Sequence, residues 1–135
     1  MITLKDIEKA HDRIRPFIHR TPILTNSSLN ELSGAELFFK CENFQKAGSF
    51  KIRGATNAVQ LLSEEDLKKG IATTSSGNHG AALSMAVTRR GGKTHVVMPH
   101  NTPKIKVENV KRNGGEIDWC ETSQESRESV LADWV

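Results

Sequence analysis

Leu4, Ile7 and Ile14 recur at helical spacing behind Thr3 and Asp6, a pair able to form a capping box, and predict a helix over residues 4–14 that Pro16 stops. Thr21-Pro22 forces an extended connection, because the residue before a proline is driven out of the helical region. Ser27 or Ser28 can then cap a short helix through Leu29 and Leu32, closed by Gly34. Residues 36–41, Glu-Leu-Phe-Phe-Lys-Cys, form a short apolar run that reads as a strand. From Gly48 the pattern becomes Ile52, Ala55, Val59 and Leu62, the stripe of a helix that starts near Ser49 and gives way after Ser63 to a charged turn ending at Gly70.

A strand–helix alternation follows. Ile71 to Thr74 is a predicted strand, Ser76 to Gly80 a glycine-rich turn, and Ala81 to Arg90 a helix ended by Gly91-Gly92. Thr94 to Met98 is the next strand, and a helix initiated by Pro103 runs to Asn113 ahead of Gly114-Gly115. Ile117 to Cys120 is a further strand, after which Thr122 and Glu125 can cap a last helix. Strands alternating with helices in this way define an α/β protein, a three-layer arrangement of a parallel sheet with flanking helices. The last helix still carries the apolar stripe Val130, Leu131, Trp134 and Val135 when the chain stops. A helix needs a neighbour for its apolar side and partners for its last carbonyls, so the expectation is a truncated chain.

Composition narrows the function classes. The 135 residues make one ordinary domain rather than two complete ones. Nineteen Lys and Arg against sixteen Asp and Glu leave +3, dispersed in short runs, which argues against a nucleic-acid partner. No stretch approaches the length of a membrane span, and Met1 leads directly into charged sequence, so the expectation is a soluble, cytoplasmic protein with no membrane partner. Cys41 and Cys120 have neither Cys-x-x-Cys nor zinc spacing and read as reduced, buried thiols, and no metal site is expected.

Two constellations carry chemistry. Gly48-Ser49-Phe50-Lys51-Ile52-Arg53-Gly54-Ala55 places a lysine in the first turn of a helix, behind a candidate hydroxyl cap, Ser49. A cation there faces the positive end of the helix dipole, and burial disfavours charge further, so the arrangement favours a neutral amine able to form a Schiff base. Alone, Lys51 and Arg53 read equally as solvated side chains. Ser75-Ser76-Gly77-Asn78-His79-Gly80 lies between an apolar strand and a small-residue helix, where backbone N–H groups can hold a carboxylate or phosphate at the carboxyl end of a parallel strand. Alone, it is also an ordinary tight turn. It is not Gly-x-Ser-x-Gly, and His79 lacks a second ligand at i+4, so acyl-transfer and metal chemistry are poor readings.

Together the motifs are specific. Residues 40–55 and the run Thr73-Thr-Ser-Ser-Gly-Asn-His-Gly80 closely resemble the threonine dehydratase and serine racemase family of pyridoxal-phosphate (PLP) enzymes. The likeness extends from His19-Arg-Thr-Pro-Ile-Leu through Val97-Met-Pro-His-Asn-Thr-Pro to Gly114-Gly-Glu-Ile and Glu125-Ser-Arg-Glu. The resemblance implies a tryptophan-synthase-beta-like fold in which Lys51 carries the cofactor and moves the Cα proton, Phe50 packs beside its ring, and Asn78 hydrogen-bonds its phenolic oxygen. It likewise implies that Ser75, Ser76, Gly77, Asn78 and His79 cradle the substrate carboxylate, and that Ser76 is the second acid/base used in racemisation. Residues 1–69 then belong to a large PLP domain and 70–135 to a small α/β domain, with the rest of the large domain absent.

The implied activity is that of an ammonia-lyase taking L-threonine to 2-oxobutanoate and ammonia, or L-serine to pyruvate and ammonia, with PLP as electron sink. The resemblance further implies a small amino-acid substrate, a homo-oligomer at full length, and, on threonine, a place in isoleucine biosynthesis. Serine racemase is the alternative enzyme. A non-catalytic truncated remnant is the alternative of another class, because the family's glycine-rich phosphate loop does not occur in the sequence.

Overall fold

The computed structural model describes residues 1–134; Val135, the last member of the predicted apolar stripe, lies outside the described residues. Its centre is a parallel sheet in the order β3-β4-β5, formed by Ile71–Thr74, Thr94–Pro99 and Gly115–Cys120, with Ile71 opposite Thr94 and Thr94 opposite Gly115. All six residues of β4 are buried, as expected of a parallel strand covered on both faces. Alternation along β4 assigns the two faces. Val96 and Met98 pack with Ala81 of α5 (Asn78–Thr88) and Val110 of α6 (Lys104–Arg112), whereas His95 stacks on Trp134, just beyond α7 (Gln124–Ala132). The three-layer α/β reading holds.

Two glycines set the depth of the α5–sheet contact. A Cβ on Gly115 would overlap Ser84 and Val110, and one on Gly80 would sit 3.0 Å from Val96 Cγ1 and 3.1 Å from the Ser75 carbonyl oxygen. Helix α5 can approach the sheet closely, at its start over Gly80 and further along at Ser84 over Gly115, only because those side chains are missing.

Further back in the chain, α1 (Leu4–Ile14) begins with the predicted capping box: Asp6 Oδ2 accepts from the Thr3 N–H at 2.9 Å and from the Thr3 hydroxyl at 2.7 Å. The helix α2 (Ser27–Ser33) is capped by Asn26 rather than by Ser27 or Ser28, because the extended Asn26 aims its Oδ1 at the Leu29 N–H, 2.9 Å away. Gly34 closes it at φ 67°. The apolar run at 36–41 yields only a two-residue strand, β2 (Phe39–Lys40), paired antiparallel with β1 (Ile23–Leu24). The long helix of the middle stretch is α3 (Lys51–Gln60), and the expected charged turn is a further helix, α4 (Glu64–Lys69), capped by Ser63. On α3, Ile52, Ala55 and Val59 pack against Ala82, Leu83 and Ala86 of α5, joined by Leu67 of α4. Ser123, not Thr122, caps α7, accepting from the Ser126 N–H at 3.1 Å.

Candidate active site

Lys51 is the first residue of α3, and the preceding turn delivers it there. Gln45 clamps that turn: its Oε1 accepts from the N–H groups of His19 and Lys46 at 2.8 and 2.9 Å, and its amide donates to the His19 carbonyl at 2.8 Å. The backbone then reverses through two left-handed residues, Ala47 at φ 59° and Gly48 at φ 75°. Only Gly48 takes that conformation without a steric penalty. Ser49 does not cap the helix. It is buried with its hydroxyl unpartnered, and the capping position is filled by Phe50, which offers no oxygen to the first-turn N–H groups.

Arg53 is withdrawn from ligand duty. Its Nε and Nη2 donate to the two carboxylate oxygens of Glu42 at 2.8 and 2.7 Å, a bidentate pair that ties the first turn of α3 to the segment after β2. The Arg53 bond, helped by the Thr21 hydroxyl and the nearby Lys40, holds the Glu42 carboxyl well below its ordinary value, at about 2.

Lys51 itself is exposed, with Nζ 5.4 Å from the centroid of the Phe50 ring. Within these residues the amine is therefore not dry, contrary to the desolvated amine expected from the sequence. It is near the predicted turn: Phe50, Lys51, Gly54 and His79 line one open cleft of about 350 Å³. Gly54 is informative here. It sits inside α3, where glycine costs about 1 kcal/mol relative to alanine, yet a Cβ there would meet nothing within 4 Å. Packing within the described chain gives no reason for a glycine at a position three residues beyond Lys51, on the same helix face.

The helix α5 begins three residues earlier than predicted, so Asn78 and His79 are its first residues and the turn before it is short. Ser75 holds that turn: its Oγ accepts from the N–H groups of Gly80 and Gly77 at 3.0 and 3.4 Å, and its own N–H donates to Val97. Its O–H remains free to donate. Asn78 and His79 are exposed, and their N–H groups, in the first turn, have no intrahelical acceptor. Ser75, Ser76 and Gly77 line a second cleft of about 290 Å³ together with Arg127 of α7. The turn thus borders both clefts, with His79 beside Lys51 on one side and Ser76 beside Arg127 on the other.

Sequence reading did not single out Arg127. Its segment, Glu125-Ser-Arg-Glu, is legible as a motif, but only the packing of α7 on the sheet places it opposite Ser75–Gly77. Its proximity also favours the Cys120 thiolate, against the larger effect of burial, which pushes that thiol up. Among the described residues no helix is long and apolar enough to cross a membrane.

The arrangement brings a primary amine and the free N–H groups of a helix start to one turn of an α/β fold. Residues 14–134 match the family described as PALP, pyridoxal-phosphate dependent enzyme. The chain belongs to that family, whose members depend on PLP. It is 55% identical over 126 residues to a serine racemase of Arabidopsis thaliana, covering 93% of this chain and 38% of the relative. It is likewise 55% identical over 130 residues to a beta-hydroxyaspartate dehydratase of Paracoccus denitrificans (strain Pd 1222), covering 96% and 41%. Among solved structures, maize serine racemase superposes with a TM-score of 0.94 at 50% identity, covering 97% of this chain and 40% of that one. A threonine deaminase of T.th. superposes at 0.88 and 37% identity, covering 98% and 41%. The chain thus spans about 40% of the length of the curated relatives it matches.

The residues present fit one end of the cofactor. An accessible primary amine beside an aromatic ring, with open space over Gly54, suits the aldehyde carbon and the ring face of PLP.

Proposed function

We propose that this chain is the N-terminal part of a hydroxy-amino-acid ammonia-lyase acting on L-threonine and L-serine, with residues 1–69 in a large PLP domain and 70–135 in a small α/β domain. The observation that carries the reading is the shared cleft of Lys51 and His79, which brings the two sequence motifs to one place. In this reading Lys51 would hold the cofactor, flanked by Phe50 and with Asn78 toward its oxygen, and PLP would supply an electron sink for the bond pair left at Cα. Once the substrate's own amino group has replaced it on the cofactor, the Lys51 amine would take the Cα proton and pass a proton to the β-hydroxyl, which departs as water. The N–H groups at the start of α5 and the Ser75 and Ser76 hydroxyls hold the substrate carboxylate. The released enamine takes up water and breaks down to the 2-oxo acid and ammonia. The parent is a cytoplasmic homo-oligomer. Borohydride reduction of the protein as the cell makes it, followed by peptide mass mapping, tests the assignment: a pyridoxyl mass on Lys51 is expected, and its absence or its appearance on another residue overturns it.

A second reading, serine racemase, is supported by an identity of 55% to the Arabidopsis thaliana protein against 37% to the threonine deaminase, although the Paracoccus denitrificans dehydratase matches equally at 55%. Racemisation needs a proton returned from the other face, and Ser76 lines the other cleft. Ser76→Ala separates the two readings. Loss of D-serine formation with elimination largely spared supports the racemase; equal loss of both removes Ser76 from a proton-transfer role.

A further inference from the structure

Helix α7 carries Arg127 to the cleft of Ser75, Ser76 and Gly77, yet little of the helix itself holds it there. None of its residues, Gln124–Ala132, is buried, so apolar burial contributes little to its seat on the sheet. Two specific ties take that role, one at each end. Near the start of α7, the Ser126 hydroxyl accepts from the Glu121 N–H at 3.0 Å. Just past its end, Trp134 stacks on His95, with ring centroids 3.4 Å apart and planes 19° from parallel. Arg127 lies between the two ties and borders Val97 and Pro99, toward the other end of the strand that carries His95.

An imidazole is a costly choice for a strand sealed on both faces unless its polar atoms are bonded. His95 Nδ1 lies within hydrogen-bond distance of Asp118 Oδ2 on β5, 3.2 Å away. The register sets Glu116 opposite His95 on that strand, on the same face, and the uncharged Ala72 opposite it on β3. His95 lines neither cleft of the candidate site, so any effect it has there passes through α7. We infer that His95 is a positioning residue: bonded to Asp118 and stacked on Trp134, it holds the end of α7 on the sheet and so keeps Arg127 beside the Ser75–Gly77 turn. Without that tie α7 is left with the one at Ser126 and swings about it. The inference rests on the lyase reading only in taking an α-amino acid to bind in the cleft; the tie itself stands without turnover.

Cys120 reports the seat of α7. It is 3% exposed, on β5 two residues beyond Asp118 and on the same face; burial pushes its thiol up while the charge of Arg127 acts against that. In the protein as the cell makes it, alkylation of Cys120 by iodoacetamide, timed and read by peptide mass mapping, should be roughly 10-fold faster in Trp134→Ala and in His95→Ala, the effect of losing an aromatic pair with its supporting hydrogen bond. His95→Phe keeps the ring without the Asp118 bond and should fall between these and the parent. The double variant His95→Ala/Trp134→Ala should be no faster than the faster single one, because both remove the same tie. Calorimetric affinity for L-alanine, which has no β-hydroxyl to lose, should fall roughly 2- to 5-fold in the same variants, in proportion to the docked fraction of α7, with kcat for L-serine held within about twofold. Trp134 is 47% exposed, so Trp134→Ala keeps the test valid if a His95 variant does not fold. Unchanged Cys120 labelling in Trp134→Ala overturns the inference, as do factors that multiply in the double variant. So does an alanine affinity that fails to follow the labelling, including no binding at all, since α7 would then loosen without consequence for the cleft. Faster labelling and weaker alanine binding with no 2-oxo acid formed from serine or threonine would sink the lyase reading and leave this one standing.

Discussion

The sheet region and the first fifty residues use similar apolar patterns with opposite results. In the sheet, the whole of β4 is sealed between helices, and Met98 is fully buried. In the first fifty residues, Ile23, Leu24, Phe38 and Phe39 are all exposed on strands or strand edges of two residues, with Phe38 at 67%. An apolar run becomes core only when another element supplies the opposing surface, and β1–β2 has none among the described residues. Helix α3 is the seam. Its Ile52, Ala55 and Val59 face is packed on α5, while its Lys51 and Gly54 face opens to the clefts. Packing and chemistry are thus carried on different faces of one helix, and substitutions can address them separately.

The largest expected effect lies on the open face. Lys51→Ala should reduce 2-oxo acid formation from threonine or serine by about 10²–10⁴-fold, the contribution of a positioned proton-transfer group, and eliminate visible cofactor absorbance. Its unfolding free energy should stay within about 0.5 kcal/mol of the parent, because the side chain is exposed. A large fall in stability would mean that the amine is part of the packing and that the two faces are not separable.

Next is the contrast itself. Met98→Ala should cost about 2–5 kcal/mol in urea unfolding, since a fully buried side chain leaves a cavity, whereas Phe38→Ala should change stability by about 0.5 kcal/mol or less. Similar costs for both would show that something covers the Phe38 surface in solution.

The tie between the two regions should be visible in pH. Glu42, lowered to about 2 chiefly by Arg53, has a folded value below its unfolded one near 4.5. Its contribution is therefore complete above about pH 4.5 and is lost as pH falls toward 2. The pair is partly solvated, so about 1–2 kcal/mol is expected rather than the full equivalent of the shift. Glu42→Gln should lower stability at pH 7 by that amount and flatten the acid limb of the stability curve; an unchanged limb would assign acid unfolding to other carboxylates.

Local signals were legible in the sequence where the energetics are local. The Thr3–Asp6 box, the Gly34 cap and the existence of the three parallel strands follow from spacing and turn chemistry alone. Reading went astray where tertiary geometry chooses among equivalent candidates. Three hydroxyl or amide side chains in a row, Asn26, Ser27 and Ser28, can each cap, and the backbone direction selects Asn26. Ser49 precedes the Lys51 helix as a cap would, but the turn through Ala47 and Gly48 buries it instead. The charged segment after Ser63 becomes α4 because Ser63 caps it and Arg90 reaches Glu64 from α5's end. For the site, the two motifs were legible; the Arg53–Glu42 pair and the meeting of Arg127 with Ser76 were not, since each joins residues distant in sequence.

The smallest effect probes the seam most directly. Alanine at position 54 should stabilise α3 by about 0.5–1 kcal/mol, because a glycine inside a helix costs that much and a Cβ there meets no protein atom within 4 Å. A residue kept at a stability cost, on the face that carries Lys51, is explained if that space belongs to a ligand. Gly54→Ala should then melt higher while binding PLP more weakly, measured as release of the cofactor on dilution. Higher stability with unchanged cofactor retention would show that the space over Gly54 serves neither packing nor the cofactor. Lower stability would show that the helix face is covered, and would move the boundary between sealed and open regions past α3.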